Sequence, residues 1–223
     1  MPPEDNDASR RALMGGLSAG LLAALASPAS AQSVPPATAP VNDGPHISDP
    51  RTAYPRPPFP AQQQDPPGLA SAMNPKPDHG ETSYRGSRKL VGRKALITGG
   101  DSGIGRAAAI AFAREGADVA FNYLPVEEPD AREVVRLIED AGRKATPLPG
   151  DIRDEAFCAK LVADAAQAMG GLDILVNNAA KQHAVDHLQD ISTEQFDAVF
   201  KTNVYAMFWI TKAALAHLPA GAT

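Results

Sequence analysis

The chain has 223 residues, 43% of them hydrophobic, which is enough to bury one sizeable core. Its 21 basic and 26 acidic side chains leave a net charge of −5, and the Lys and Arg residues are scattered, so nothing favours a nucleic-acid partner and none is expected. The single cysteine, Cys158, rules out an internal disulfide, and nothing in the spacing of the five histidines suggests a metal site.

The chain divides into segments of different physics. Ser9-Arg10-Arg11-Ala12-Leu13-Met14 resembles the twin-arginine export motif. A Gly/Ala-rich apolar stretch runs from Leu13 to Ala26, Pro28 breaks it, and Ala29-Ser30-Ala31 supplies a small-x-small cleavage pattern. The stretch is shorter and softer than the roughly 20 apolar residues of a membrane span. Residues 1–31 therefore read as a twin-arginine-type signal peptide, with periplasmic delivery and no stable membrane span. Glu4, Asp5 and Asp7 make the start less basic than usual, and a retained cytoplasmic N-terminus is the alternative.

Residues 32–93 hold most of the 21 prolines and no sustained apolar periodicity. Proline removes backbone donors and blocks helix, so polyproline-like or irregular chain is expected. Residues 32–63 read as a disordered linker. Residues 64–93 carry more specific wording, Asp65-Pro66-Pro67-Gly68 and Pro77-Asp78-His79-Gly80-Glu81, and read as an arm lying along the following domain.

From residue 94 the pattern alternates between strand and helix. Leu96-Ile97-Thr98 ends a β run and a helix follows through Ala107–Arg114. Asp118–Asn122 is the next strand, and Val134, Val135 and Ile138 mark an amphipathic helix stopping near Gly142. Ala145–Leu148 is a weak third strand. Phe157, Leu161, Ala165 and Met169 recur at helical spacing behind an Asp154 N-cap, with Cys158 as a small buried residue. Leu172–Val176 is the fourth strand. Ser192 and Gln195 form a capping box opening a long helix to about His217, with Phe196, Phe200, Val204, Met207 and Phe208 on its apolar face. His46, His79, His183, His187 and His217 read as loop or surface residues. Alternation of this kind predicts an α/β fold, a Rossmann-type, doubly wound parallel sheet of about four strands.

Chemistry concentrates in the turns after the strands. Thr98-Gly99-Gly100-Asp101-Ser102-Gly103-Ile104-Gly105 lies between a strand and a helix. Gly99 permits the tight turn, Gly103 lets backbone approach a pyrophosphate, and Gly105 lets helix and sheet pack closely. The helix N-terminus offers free N–H groups to the phosphates. The spacing G-x-x-x-G-x-G differs from a kinase loop and from a Walker A turn, so the loop reads as dinucleotide-binding. Asn122-Tyr123 ends the second strand where a Rossmann protein reads the adenosine ribose. Asp151-Ile152 follows the third strand, placed to touch adenine, and Asn177-Asn178-Ala179-Ala180 closes the fourth.

Together, T-G-x-x-x-G-x-G and Asn177-Asn178-Ala179-Ala180 make the chain resemble a classical short-chain dehydrogenase/reductase, whose second signature is N-N-A-G. The arm and the wording of the glycine loop are similar to a bacterial subgroup named as general stress proteins, glucose/ribitol-type dehydrogenases or aldehyde reductases. The resemblance covers about residues 60–223. It implies a nicotinamide dinucleotide cofactor, hydride transfer to or from an alcohol or carbonyl substrate, and a homo-oligomer (dimer or tetramer) for the full-length protein. It places Asn178, Ala179 and Ala180 against the cofactor ribose, with alanine at 180 where glycine is usual. It makes Asn203, in Lys201-Thr202-Asn203-Val204, the asparagine of a catalytic tetrad, kinking its helix and holding a water in a proton relay. By residue physics alone Asn203 is an exposed polar residue. Asn122 carries no charge to repel a 2′-phosphate, which permits NADP, with NAD possible; Asp101 contributes no cation to hold that phosphate.

The family's remaining tetrad members, a serine and a Y-x-x-x-K pair, have no match here. Tyr54, Tyr84, Tyr123 and Tyr205 are followed four residues later by Pro58, Arg88, Glu127 and Trp209. The expectation is a truncated domain, with an exposed fourth strand, that binds cofactor weakly and does not turn over alone. A non-catalytic dinucleotide-binding module, acting as sensor or partner, is the alternative. A Rossmann-like methyltransferase fits the asparagine motif and the glycine spacing poorly.

Overall fold

The computed structural model describes residues 49–223, so the export motif and the first part of the Pro-rich linker lie outside the described residues. Four parallel strands form the sheet: β1 (Lys94–Thr98), β2 (Asp118–Tyr123), β3 (Ala145–Pro149) and β4 (Ile174–Val176), in the order β3-β2-β1-β4. β4 is shorter than the predicted Leu172–Val176. β1 is central, pairing Leu96 with Ala120 on one side and with Leu175 on the other.

Side chains alternate across the strands, and both faces are covered. Ile97, Val119 and Phe121 point to one face, where they meet Ala109 and Ala113 of α1 (Gly103–Arg114) and Val134 and Ile138 of α2 (Glu128–Asp140). Leu96 and Ala120 point to the other, against Cys158, Leu161 and Ala165 of α3 (Glu155–Met169) and Ile210 of a later helix. The Asp154 carboxylate accepts the Phe157 N–H at 3.0 Å, and α3 ends on Gly170 in the left-handed region. Cys158 is buried, with Sγ 3.0 Å from the Ile152 carbonyl, and burial pushes its thiol up to about 12.

The predicted long helix is not continuous. The Ser192–Gln195 capping box opens α4 (Thr193–Phe200), a π-helical turn follows over Lys201–Tyr205, and α5 (Ala206–Ala214) completes it. The face that packs is also not the predicted one. Ala198, Thr202, Ala206, Ile210 and Ala214, spaced four apart, are buried, whereas Phe196, Phe200, Val204, Met207 and Phe208 are exposed. Small side chains let the helix backbone come close to α3, and that contact faces the bulky stripe away from the sheet.

β4 lies at the edge of the sheet, as expected, and Thr223 meets that edge: the Leu175 N–H donates to the Thr223 carbonyl at 2.8 Å, and the Thr223 N–H donates to the Asp173 carbonyl at 2.9 Å. Among the described residues no helix is long and apolar enough to cross a membrane.

The arm runs across α1 and α2. Asp130 accepts the Ala70 and Ser71 N–H groups at 2.6 and 3.2 Å, and Arg114 donates to the Gly80 and Tyr84 carbonyls, both at 2.7 Å. Glu115 collects the Tyr84 hydroxyl at 2.5 Å and the Ser87 and Lys89 N–H groups at 2.9 and 2.8 Å. Order extends into the segment read as linker, because Gln62 exchanges two hydrogen bonds with the Asn74 backbone. His79 departs from its surface reading: it is buried, with Nδ1 2.9 Å from Glu81 Oε1. The fully buried Arg106 then reaches Glu81 at 2.9 Å and Glu133 at 3.1 Å, linking arm, α1 and α2.

Candidate active site

In a sheet of this order, connections leave β1 in opposite directions, and a crevice opens beyond the carboxyl ends of β1 and β4. The cavity there has a volume of about 440 Å³. The glycine turn forms its floor. Arg106 N–H donates to the Ser102 carbonyl at 3.0 Å, so the helical ladder starts there and the preceding N–H groups have no intrahelical acceptor. The Ser102 side chain does not cap them.

Two glycines are required by geometry. A Cβ on Gly105 would stand 1.9 Å from the Gly99 carbonyl oxygen and 2.6 Å from Asn178 Nδ2. Gly103 has φ +53°, and a Cβ there would meet nothing within 4 Å, so backbone is bare towards the cavity. Ile104, beside it, is 82% exposed on the cavity wall, an apolar side chain left open where a ligand would cover it.

Gly99, Asp101, Ser102, Gly103, Ile104, Asn122, Tyr123, Asp151, Ile152, Asn178, Ala179 and Ala180 all line this cavity. Gly100 and Gly105 lie behind it, where Gly100 packs on Phe121. Their side chains divide into those that face a ligand and those that hold the walls. Asn178 is a wall: its Nδ2 donates to the Thr98 and Gly99 carbonyls at 2.9 and 3.0 Å. Thr98 Oγ1 accepts the Asn178 and Ala179 N–H groups at 3.0 and 3.1 Å. Asn122 is also engaged, with Nδ2 donating to the Leu148 and Gly150 carbonyls at 3.1 and 3.0 Å. Its Nδ2 therefore buttresses the end of β3, and Asn122 still lines the cavity where the strand position aimed it at a ribose. The Tyr123 hydroxyl donates to Glu128 at 2.5 Å, and burial first, then that carboxylate, raise its pKa.

Asp101 differs from these. It is 2% exposed, yet its Oδ2 has no hydrogen-bond partner. Burial holds its carboxyl above the ordinary carboxylate range. On the opposite loop, Asp151 pairs with Arg153, which lowers its pKa despite partial burial.

Asn203 does not hang in solvent as residue physics alone suggests. It lies in the π-helical turn, half-buried. Its Oδ1 accepts the Lys181 N–H and its Nδ2 donates to the Lys181 carbonyl, each at 2.8 Å. The reciprocal pair fastens the helix to the chain leaving β4. The π-helical turn falls at the asparagine where the sequence resemblance implied a kink.

Other wall residues carried no sequence signal. Pro66 and Pro67 reach the cavity from the arm, and Leu124, Glu127, Gly150, Arg153, Lys181, Gln182 and Thr202 complete it. Only the arm's proline-rich wording hinted at a role, and it did not say which surface it would meet. The residues present fit a dinucleotide: free N–H groups beside a bare glycine backbone suit a pyrophosphate, and exposed Ile104 offers an apolar face for a ligand to cover.

Residues 93–223 match the family model described as short chain dehydrogenase. The chain belongs to the short-chain dehydrogenase family. It is 57% identical over 178 residues to the oxidoreductase YhxD of Bacillus subtilis, covering 80% of this chain and 60% of that protein. That match is longer than the family model's, so it includes part of the arm. Glucose and ribitol dehydrogenase of Daucus carota is 39% identical over 171 residues, covering 74% of this chain and 59% of that one. A Burkholderia cenocepacia short chain dehydrogenase, solved in complex with NADP, superposes with a TM-score of 0.56 at 43% identity, covering 60% of this chain and 54% of that one. The chain thus spans about 60% of the length of the curated relatives it matches.

Proposed function

We propose that this protein is an NAD(P)-dependent dehydrogenase/reductase that moves a hydride between a nicotinamide cofactor and an alcohol or carbonyl substrate of aldehyde or sugar-like class. The observation that carries this reading is the switch-point cavity, where the glycine turn, the Asn178–Ala180 segment and the Asn203 turn meet. NADP is the first choice of cofactor, because the end of β2 carries no carboxylate, and NAD is possible.

The nicotinamide would supply the hydride acceptor or donor. The chain's residues bind and orient it. Backbone N–H groups from Ser102 to Gly105 hold the pyrophosphate, Asp151 and Ile152 border the adenine, and Ala179 and Ala180 border the nicotinamide ribose. Asn203 acts as a positioning residue, keeping the Lys181 backbone and the π-helical turn in one arrangement beside the reacting end. The tyrosine of the cavity wall, Tyr123, is tied to Glu128, and the sequence holds no Y-x-x-x-K, so the 223-residue chain by itself is proposed to bind cofactor weakly and not to turn over.

The test is titration of the full-length protein with NADPH and NADH, following cofactor fluorescence. Saturable binding, lost on Gly105→Val, is expected; absence of binding to either cofactor would sink the reading. A homo-oligomer, dimer or tetramer, is proposed on the exposed stripe of Phe196, Phe200 and Phe208, and light scattering tests it. Periplasmic export by the twin-arginine route is proposed on Arg10-Arg11; undiminished delivery of an Arg10→Lys/Arg11→Lys variant would argue against it.

A further inference from the structure

Pro66 and Pro67 stand in the wall of the cavity, although both belong to the arm. The family model begins at residue 93, so this part of the wall comes from chain outside the family's own domain. Residues 62–74 build it as a closed loop. Gln64 Nε2 donates to the Leu69 carbonyl at 3.0 Å, and Gln64 Oε1 accepts the Leu69 N–H at 2.8 Å. Outside that rung, Gln62 makes the same exchange with Asn74, at 2.6 and 2.9 Å. Pro66, Pro67 and Gly68 form the tip.

One buried side chain fastens the loop to the domain. Asp130, in the first turn of α2, is fully buried, and its two carboxylate oxygens accept the Ala70 and Ser71 N–H groups. Hydrogen bonds to an ionised acceptor are the stronger kind. Leu124 and Glu127, just before α2, line the same cavity, so the anchor and the wall beside the tip belong to one stretch of chain. The protein itself does not cover the tip, because both prolines are exposed. Two pyrrolidine rings in a closed loop present a rigid apolar surface, and such a surface loses little freedom when a ligand lies on it.

We propose that the arm is a working wall of the dinucleotide site: the Pro66–Pro67 tip lies against the bound cofactor in apolar contact, and Asp130 is the positioning residue that sets it there. The assignment rests on the dinucleotide reading given above and adds a coupling to it. Cofactor that touches the tip binds better to a chain whose arm is docked. By reciprocity, bound cofactor holds the arm down by the same factor. The proline rings carry no charge and no hydrogen-bonding group, so the contact raises affinity for NAD and NADP alike.

Two measurements on the full-length protein test the coupling. Calorimetry with NADH and NADPH should show both weakened about fivefold by Pro66→Ser/Pro67→Ser, and likewise by Gln64→Ala, which breaks the inner rung. Hydrogen exchange on the wild-type protein needs no variant. Saturating NADPH should slow exchange of the Ala70 and Ser71 amides, which Asp130 holds, by about fivefold as well. Affinities unchanged within about twofold in both variants overturn the assignment and leave the dinucleotide reading intact. Exchange at the two amides that ignores the cofactor does the same. If the variants do not fold, as judged by circular dichroism, the exchange result alone decides. Wild-type protein that binds neither cofactor overturns both.

Discussion

Asn203 and Lys181 hold each other through two hydrogen bonds of 2.8 Å, one in each direction. The pair joins the π-helical turn to the chain beyond β4, beside the cavity that Lys181 and Thr202 line. Asn203→Leu strips both partners from the Lys181 backbone, for which about 2 kcal/mol of stability loss is expected. Hydrogen exchange at the Lys181 amide should accelerate in that variant and stay protected in Asn203→Asp, which keeps the acceptor. Equal exchange in all three proteins would show that the pair does not hold this segment.

Gly105 packs against the Gly99 carbonyl so closely that any side chain must displace one of them. Overpacking costs about 1–3 kcal/mol, and here it also opens the turn that presents N–H groups to phosphate. Gly105→Ala is expected to weaken NADPH binding by about tenfold or more with strand content unchanged by circular dichroism. Binding at the wild-type level would mean that the turn yields without losing its function.

Arg106 is the buried centre of the arm's attachment. Arg106→Met leaves Glu81 and Glu133 without their shared cation, and their partial exposure reduces the penalty below that of a fully buried pair, to about 2–3 kcal/mol. Urea unfolding should report that loss, and limited proteolysis should cut first between residues 76 and 93. A variant with wild-type stability and an uncut arm would show that the remaining anchors at Asp130 and Glu115 suffice.

Glu81 and Glu115 give the fold a defined acid sensitivity. Burial pushes Glu81 up, but hydrogen bonds from His79 and the charge of Arg106 prevail and hold it at about 2, below its ordinary 4.5. The Tyr84 hydroxyl and the Lys89 N–H hold Glu115 at about 2 as well. Unfolded chain therefore binds more protons than folded chain as pH falls below about 4.5, and the stabilisation drains through the window down to about 2. Melting temperature should drop across that range, and Glu115→Gln should flatten the slope. An identical slope in the variant would remove Glu115 from the account.

Where local pattern alone decides conformation, the sequence was readable. The Asp154 and Ser192–Gln195 caps, the stop of α2 near Gly142 and the alternation of β1 and β2 all follow from side-chain chemistry within a few residues. The long helix shows the limit of that reasoning. Its strongest apolar periodicity belongs to Phe196, Phe200, Val204 and Phe208, yet the sheet-facing row is built on alanines. Hydrophobicity ranks what favours burial, but closeness of backbone approach selected which face was buried. His79 was misread for a similar reason, since its burial depends on Glu81 and on Arg106 from a distant helix.

The glycine turn that carries this protein's family membership was determined by sequence alone: spacing between a strand and a helix requires those conformations wherever the domain lies. Tertiary structure decided which side chains around the turn remain available. Asn122 and Asn178 both line the cavity, and long-range carbonyls at the ends of β3 and β1 take up their Nδ2 donors. Asp101 Oδ2, by contrast, is buried with no hydrogen-bond partner in the fold. Availability of a polar atom depends on what stands opposite it, and for these residues that is chain between 26 and 80 positions away.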